Sequence, residues 1–442
     1  TLPGVLAVDG LTLVMWVVVT FLGGIVLSYS RRYMAGYRHV NRFFVRAFAF
    51  VPTVMVLVAA DHVALFAAAW LAMGLVVADL IGHVRGWRQA RAAAALARRY
   101  FLASGALLGV ALGATWWITG ETTVSAMVTA VDTASGPVWF LVVGSLVLAA
   151  AVQSALVPFH TWLLGSMTAP TPASALMHAG FVNAGGVLLA RFAPLISVDP
   201  GVMLLVAVVG AASAIAGKLL KSVAPDVKRQ LGCSTVGQMG FMFLQAGLGF
   251  FGAAVTHLVL HGFYKAYLFL SSNGRVERTS PVGNEAARST TAVGLVATAL
   301  TAVAGGALFA LLTGKGTSVD SGLVLTLLVV LTTLHAARGA VERTSLPATV
   351  RYGAVPLVFL PAIAVYAATY TAVTGLMNGL PVVTAPAELT PVHAVVVAAF
   401  VLAYVAVETG VYRRSDRLYV TLLNGAGPPA ATVLTSRGEY DE

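Results

Sequence analysis

Long runs of apolar residues, separated by short polar loops, dominate this chain. Thirteen runs are long enough to cross a bilayer as a helix of about 20 residues. They lie near 11–29, 42–60, 62–84, 99–118, 136–158, 172–192, 200–221, 230–249, 251–273, 291–312, 321–337, 352–376 and 391–411. The pattern predicts an all-α fold: a polytopic membrane helix bundle of about 13 transmembrane helices over residues 1–412, followed by a tail at 413–442.

The distribution of charge predicts which side of the membrane each loop faces. Only 10% of the residues are charged, against the usual ~25%. Of the 27 Lys and Arg residues, 24 lie in the tail, in one alternating set of loops and in the helix ends beside them. The positive-inside rule makes that face cytoplasmic, with the N-terminus outside and the tail cytoplasmic. The formal charge of +10 is therefore topological and does not indicate nucleic-acid binding. We expect a multi-pass protein of the bacterial cytoplasmic (inner) membrane.

Two further features limit the interpretation. Cys233 is the one cysteine, so neither an intrachain disulfide nor a cysteine metal cluster is available. The first residues, TLPGVLAVDG, show no basic region or cleavage site of a signal peptide. They also lack an initiator Met, which is consistent with a start inside a longer gene product.

The strongest chemical pattern lies in the ninth apolar run. His257, His261 and Lys265 are spaced at i, i+4 and i+8, so they lie along one side of a helix. Ionisable groups inside a membrane are costly, and they commonly mark the path of a proton or ion. The pattern predicts a proton relay; the alternative is three hydrogen-bonded or snorkelling side chains in a helix bundle.

A second candidate site surrounds a predicted helix break. Pro158 interrupts the fifth run beside Ser154 and His160, and Pro170 and Pro172 are expected to end the following piece. Broken helices at membrane depth occur at transporter ion sites, where helix ends face the ion. His178 lies within the next run, either as part of a proton path or as a histidine bonded to a neighbouring carbonyl.

The third run ends with Asp79 and His83, an acid–base pair at i, i+4. We interpret the pair as a gate or terminus of a proton channel, or as a simple pair that stabilises the helix end. The Arg-rich loop 85–99 that follows is expected to contact anionic membrane lipid, or alternatively a cytosolic partner.

With these stretches identified, the chain resembles the proton-conducting subunits shared by respiratory complex I and Mrp-type antiporters (the NuoL/MrpA type). The resemblance covers most of residues 9–275. It rests on YSRRYMAGYRHVNRFF (29–44), PFHTWLLGSMTAPTPASALMHA (158–179), DVKRQLGCSTVGQMGFM (226–242) and HLVLHGFYKAYLFL (257–270).

The resemblance implies two antiporter-like inverted repeats with broken helices, a first repeat at about 42–192 and a second at about 200–376. It also implies a central axis of lysines and histidines that conducts protons. His178 matches the histidine of the first repeat. The histidines and lysine of the ninth run match those that link the repeats.

The chain departs from the family at two acid–base positions. The family motif WEGVG reads WLAMG here, which places Leu71 at the glutamate position. The motif GKSAQxP reads VQSALVP, which places Gln153 at the lysine position. The Glu–Lys pair of the first half-channel is therefore absent. Asp79 lies eight residues beyond Leu71, about 12 Å along a helix, and is not an interchangeable acid.

The chain is most similar to the DabB-type subunit of the DabA–DabB inorganic-carbon transporters, including its tail RLYVTLLNGAGPPAATVLTSRGEY (417–440). That resemblance implies a partner, DabA, a cytosolic protein with a zinc site similar to a β-type carbonic anhydrase. The chain itself is expected to be no enzyme and to hold no metal or other cofactor. Its expected role is to conduct H+ or Na+ and so drive CO2/bicarbonate uptake by the partner. The alternatives are an H+-pumping or Na+/H+ antiporter subunit, and a scaffold that conducts nothing.

Overall fold

The computed structural model describes residues 2–130, 136–272, 292–343, 348–429 and 432–433. The statements below concern these residues. Residues 131–135 and 273–291 and the part of the predicted tail from residue 434 onward lie outside them.

Helices account for nearly all of the regular structure in the described ranges. In chain order they are α1 Gly10–Tyr33, α2 Val40–Ala59, α3 Val63–Ile81, α4 Arg88–Thr119, α5 Val124–Thr129, α6 Gly136–Gln153, α7 Thr161–Gly165, α8 Thr171–Ala179, α9 Ala184–Arg191, α10 Ala193–Ile196, α11 Pro200–Val223, α12 Val227–Gly247, α13 Phe251–Leu270, α14 Ala292–Thr313, α15 Ser321–Arg343, α16 Ala348–Leu376, α17 Pro391–Thr409 and α18 Asp416–Ala426.

The prediction of a polytopic helical membrane protein is confirmed. Eleven helical stretches in the described ranges are long and apolar enough to cross a membrane, with α8 and α9 forming one stretch, Thr171–Arg191. Two more helices, α12 and α13, contain 21 and 20 residues but carry more polar side chains. Each of the thirteen predicted spans therefore corresponds to helical structure in the protein.

Aspartates placed directly before three of the long helices fix where those helices begin. Asp9, Asp199 and Asp226 precede α1, α11 and α12, and each side chain accepts hydrogen bonds from backbone N–H groups of the first turn. Those N–H groups have no partner inside the helix, so such a cap stabilises the helix start by about 1 kcal/mol.

The chain forms two compact units. Unit 1 contains Thr1–Arg275, Leu376–Thr384 and Tyr412–Glu442, and unit 2 contains Val276–Gly375 and Ala385–Val411. Within unit 1, the Thr171–Arg191 stretch is 94% buried, which places this stretch at the centre of the packing. α11–α13 belong to the same unit as the preceding helices, and the inverted relation between the two predicted repeats stays a prediction.

Unit 2 has a small core of its own. Ala337, Val341 and Val355 are buried together, with Tyr352 and Phe359 packed against them. α14 packs on α15, and α15 packs on α17.

An ion pair within unit 1 joins three helices. Arg191, the last residue of α9, binds both carboxylate oxygens of Asp9 before α1 and donates to the Val58 carbonyl of α2 at 2.9 Å. Burial alone would raise the pKa of Asp9, but the hydrogen bond and charge of Arg191 outweigh it and hold that pKa below its usual value. The charge of Arg191 is thus neutralised by Asp9.

Candidate functional site

The three ionisable residues of α13 lie along one side of the helix, as their spacing predicts. The imidazole rings of His257 and His261 are nearly parallel, with centroids 6.1 Å apart. Lys265 is fully buried, and His261 is 5% exposed. Lys265 and His261 therefore lie in the protein interior, His257 is partly buried, and the role of the three residues in moving protons stays a prediction.

Lys265 is connected to His178 through one carbonyl and one hydroxyl group of α12. Lys265 Nζ donates to Leu231 O at 2.9 Å, and Thr235 Oγ1 donates to the same oxygen at 3.0 Å. The Thr235 hydroxyl also bonds His178 Nδ1 at 3.0 Å. A buried hydrogen-bonded chain thus connects α13, α12 and α8.

The Thr235 hydroxyl has one proton and two neighbours that can accept it, the Leu231 carbonyl and His178 Nδ1. The tautomer of His178 decides which of the two receives it. The other ring nitrogen, Nε2, bonds no residue that the structure describes. The ring itself stacks on Phe269, with centroids 4.5 Å apart.

The sequence analysis did not place Thr235 in the site. Nothing in the local sequence of α12 shows that this hydroxyl meets a histidine 57 positions earlier. Lys228 was missed as well: it donates to the Ala169 carbonyl at 3.1 Å and so holds the end of the segment between α7 and α8. The available signal was its place in the stretch 226–242, which carries the family resemblance.

The predicted break in the fifth span is present, and its freed backbone groups have protein partners. α6 ends at Gln153, and α7 begins only at Thr161. Trp162 Nε1 donates to the Val152 carbonyl at 3.0 Å, and Ser213 Oγ accepts from the Val157 amide at 3.2 Å. Such partners are what make an irregular segment tolerable at membrane depth.

The predicted residues of the break have separate surroundings. Ser154 is fully buried and donates to the Val182 carbonyl at 2.7 Å, so it ties the break to the central stretch. Pro158 lies in the irregular segment, and His160 immediately precedes α7. The helical piece after the break ends at Thr168, just before Pro170, as expected, and Pro172 lies in the first turn of α8, where proline lacks no needed hydrogen bond.

The C-terminal helix covers this break. Ala426 of α18 is buried in a cluster with Leu164 of α7 and Leu220 of α11. The backbone of Gly425 is hydrogen-bonded to the His160 side chain. The part of the predicted tail that forms α18 therefore packs against the irregular segment.

A second interruption, which the sequence analysis did not predict, lies beside His178. α8 ends at Ala179, a 3₁₀ turn follows at Phe181–Asn183, and α9 then begins. Asn183 Nδ2 donates to the Ala179 carbonyl at 2.7 Å and so satisfies a group that the interruption frees. No proline marks the place; the signal was the sequence Gly180-Phe-Val-Asn183-Ala-Gly-Gly.

The two departures from the family pattern occupy different surroundings. Gln153 is fully buried, and neither of its side-chain polar atoms bonds a described residue. Leu71 is half-buried in α3, on the side that faces Gly105 of α4. The structure therefore places an uncharged amide and an alkyl group at the two positions.

The predicted pair between Asp79 and His83 does not form. The Asp79 carboxylate contacts Arg46 Nη2 of α2 and Arg98 Nη2 of α4, each at 3.1 Å. His83 instead packs edge-on against Phe43, with ring centroids 5.5 Å apart. Asp79 thus forms ion pairs with arginines of neighbouring helices, although the i, i+4 spacing would allow it to pair with His83. Whether the two residues act as a gate stays a prediction.

No three His, Cys, Asp or Glu side chains come together as potential metal ligands within the described ranges. The predicted zinc site belongs to the expected partner, and the described part of this chain does not test it.

Two known families match the sequence. Residues 60–289 match the family described as "NADH:quinone oxidoreductase/Mrp antiporter, TM". Residues 2–44 match "NADH-Ubiquinone oxidoreductase (complex I), chain 5 N-terminus". The predicted resemblance to this group of proteins is confirmed.

Individual relatives are similar over the same part of the chain. "Probable inorganic carbon transporter subunit DabB1" of Halothiobacillus neapolitanus is 36% identical over 282 residues, which are 62% of this chain and 50% of that protein. A DabB subunit of Bacillus subtilis is 38% identical over 275 residues, 61% of this chain and 54% of that protein. "NADH-quinone oxidoreductase subunit L" of Escherichia coli is 36% identical over 271 residues, 60% of this chain and 44% of that protein. The chain thus spans about half the length of these curated relatives.

The fold has a counterpart among solved structures. A chain of the Mrp complex from Dietzia sp. superposes with a TM-score of 0.59 and 23% identity, covering 96% of this chain and 45% of that one. At this identity, the likeness concerns the fold alone. Since the first family match covers more than half of the 442 residues, the chain belongs to the family of membrane subunits of NADH:quinone oxidoreductases and Mrp antiporters.

Proposed function

We propose that this chain is the ion-conducting membrane subunit of an energy-coupled inorganic-carbon uptake complex. The observation that carries the proposal is the buried chain Lys265–Leu231 carbonyl–Thr235–His178. Support for the carbon-uptake role comes from the DabB subunits among its relatives, which are named as probable inorganic carbon transporter subunits.

In the proposed pathway, protons pass along α13 through His257 and His261 to Lys265 and His178. The Leu231 carbonyl is a neutral acceptor, so it holds the Lys265 amine without fixing it as a charged ion pair. Because this oxygen accepts from both Lys265 and Thr235, the hydrogen-bonded chain positions the titrating groups and does not itself carry a proton between them. Thr235 holds the His178 ring through Nδ1, and Nε2 bonds no described residue. Na+ in place of H+ is the other ion that the proposal admits.

The proposed partner is a cytosolic zinc protein similar to DabA, which would carry out the CO2 chemistry. This chain would supply the coupling and perform no catalysis itself. The proposal places it in the bacterial cytoplasmic membrane with its N-terminus outside and α18 in the cytoplasm. The ion pair between Arg191 and Asp9 supports that orientation, because it neutralises one of the few basic residues on the outer face.

Replacement of Lys265 tests the proposal. Lys265→Met keeps an unbranched side chain but removes the titrating group. We expect uncoupler-sensitive uptake of labelled inorganic carbon to fall by about 100-fold in cells that carry both subunits. Arg99→Met, which removes a cation at an exposed position of α4, is the control and should leave uptake near the unsubstituted level. Normal uptake by the Lys265 variant at equal membrane abundance would refute the assignment.

A second candidate function is ion pumping or Na+/H+ exchange within a complex I-like or Mrp-like assembly. The observation that favours it is the similarity to subunit L of Escherichia coli, which equals in identity that to DabB1. The presence of Leu71 and Gln153, where the family has a glutamate and a lysine, speaks against this second function. Copurification with quinone-linked subunits, in place of a cytosolic zinc protein, would support this second function.

A further inference from the structure

Basic side chains crowd together where α2 begins, α3 ends and α4 begins. We call His39, Arg42, Arg46 and Arg85 the basic cluster. Arg42 and Arg85 are electrostatic neighbours of Arg46, which itself contacts the carboxylate of Asp79. Neither Arg42 nor Arg85 forms an ion pair with a residue that the structure describes.

The charges of this region do not balance. Arg98 of α4 also contacts Asp79. The guanidinium groups of Arg42, Arg46, Arg85 and Arg98 therefore have one neighbouring carboxylate, that of Asp79, among the described residues. Like charges at close range repel each other, and the repulsion grows where part of the surroundings is apolar. The arrangement favours the binding of an anion.

The helix termini strengthen the same preference. α2 begins after His39 and α4 begins after Trp87, and neither of these residues caps its helix with a side-chain hydrogen bond. Neither helix has an acidic residue in its first turn. The free N–H groups and the dipole of a helix start attract anions, and an arginine in the first turn is unfavourable there unless an anion is bound.

A buried imidazole supplies an independent observation. His83 is 3% exposed, and both of its ring nitrogens are buried without a hydrogen-bond partner among the described residues. Burial, and then the charges of Arg46, Arg42 and His39, lower the pKa of His83. A buried polar group of this kind commonly has a partner outside the chain.

The surroundings of the cluster indicate where such an anion would come from. Val84 and Trp87, on either side of Arg85, are 36% and 42% exposed. Tryptophan favours the boundary between lipid and water, and basic pockets between membrane helices bind lipid head groups. A phosphate attached to acyl chains fits this combination of exposed apolar and basic side chains better than a free ion does.

We propose that the basic cluster, with the N-termini of α2 and α4 and with His83, binds the phosphate of an anionic phospholipid. The lipid would neutralise the repulsion between the arginines and hold the ends of α2, α3 and α4 together. This site is independent of the proposed proton path and of carbon uptake.

Lipid retention by the purified full-length chain tests the proposal. Native mass spectrometry after incubation with phosphatidylglycerol or with phosphatidylcholine counts the lipids that remain bound. We expect preferential retention of phosphatidylglycerol, and the double variant Arg42→Gln with Arg85→Gln should lower its affinity by roughly 30-fold. Inorganic phosphate, added to the lipid-bound protein in a third arm, should not displace phosphatidylglycerol.

The matched control removes two other cations from the same side of the protein. Arg31→Gln with Arg32→Gln lies at the end of α1, where basic residues already suit the helix dipole. Loss of lipid in the first double variant alone supports the proposal. Equal loss in both double variants, or phosphate that competes with the lipid, overturns it. Both replaced pairs are at least partly exposed, and equal melting temperatures will show that both variants fold.

Discussion

Two buried lysines of this chain have neighbours of different chemistry. Lys265 donates to the carbonyl oxygen of Leu231 in unit 1. Lys315, in the loop between α14 and α15 of unit 2, lies over the ring of Tyr370 with Nζ 3.2 Å from its centroid. The ring face of an aromatic residue attracts a cation by about 0.5–2 kcal/mol. Burial nevertheless opposes the charged form of Lys315, which is 5% exposed.

This burial makes the stability of unit 2 depend on pH. It lowers the pKa of Lys315 to about 7, whereas an unfolded lysine titrates near 10.4. Between these values the unfolded chain binds a proton that the folded chain has released. The free energy of unfolding therefore rises from about pH 7 to about pH 10.4 and is flat below that window.

Lys315→Met should remove this rise. Apparent melting temperatures measured at intervals from pH 7 to pH 10 will show whether the slope disappears. Thr317→Ala, at an exposed position of the same loop, should keep the slope of the unsubstituted protein. An equal slope in Lys315→Met and the unsubstituted protein would show that another group titrates.

The residue scale also shows the limits of sequence reasoning. The side of α13 that carries His257, His261 and Lys265 follows from helical spacing alone, so it was predictable. The Thr235–His178 bond joins residues on different helices, and no local pattern encodes it. The Asp79–His83 pairing failed for the same reason, because the arginines that take the carboxylate come from other helices.

Among the helices, α11 and α12 approach each other through small residues. A Cβ atom on Gly217 would lie 2.2 Å from the backbone nitrogen of Gly237. One on Gly210 would lie 2.3 Å from that of Leu244. Both obstacles are backbone atoms, which cannot rotate away. Small residues that let helix backbones come close are a common basis of helix association in membranes.

Gly217→Ala should therefore push the two helices apart. We expect a loss of about 1–3 kcal/mol of stability, measured as a lower melting temperature of the purified protein. Gly109→Ala in α4 is the control, since a Cβ there would meet nothing within 4 Å. That control should be neutral or slightly stabilising, because alanine favours the helix. A melting temperature unchanged by Gly217→Ala would mean that the helices can separate freely.

Helix breaks were only partly predictable at this scale. Proline in the fifth span announces the break that follows Gln153. The interruption after Ala179 contains no proline, and its glycine and asparagine are common in ordinary membrane helices as well. Paired glycines also have unequal surroundings that their sequence does not show. A Cβ on Gly23 would lie close to Val51, and one on Gly185 would lie close to the Ala150 carbonyl. A Cβ on Gly24 would meet nothing within 4 Å.

For the whole molecule, the two sides of α18 suggest how a partner would bind. One side is buried against unit 1 through Ala426 and Leu422. Val420, on the opposite side, is 50% exposed, and Leu418 and Tyr419 in the first turn are 42% and 37% exposed. Deletion of the tail would remove both sides at once and would uncover the break, so it cannot report on partner binding alone.

Charged replacements at exposed positions of α18 give a cleaner test of the proposed partner. Leu418→Glu with Val420→Glu should release a cytosolic zinc protein that copurifies with the unsubstituted chain. Thr317→Glu with Val319→Glu, in the loop predicted to lie outside, should leave the complex intact. Copurification and zinc content of the purified complex are the measurements. Full retention of the partner by the α18 variant would place its binding surface elsewhere.

The cover that α18 forms over the break has a consequence for biosynthesis. The irregular segment around Pro158 is translated early, whereas α18 follows α17 in the chain and is translated after it. In a nascent chain, the Leu164 side chain and the irregular segment therefore enter the membrane before their cover exists. A ribosome stalled beyond α17 would carry a protein with its membrane helices in place and this segment uncovered. The packing of α18 over the irregular segment is thus a late step in folding, because α18 is translated after the segment and after α17.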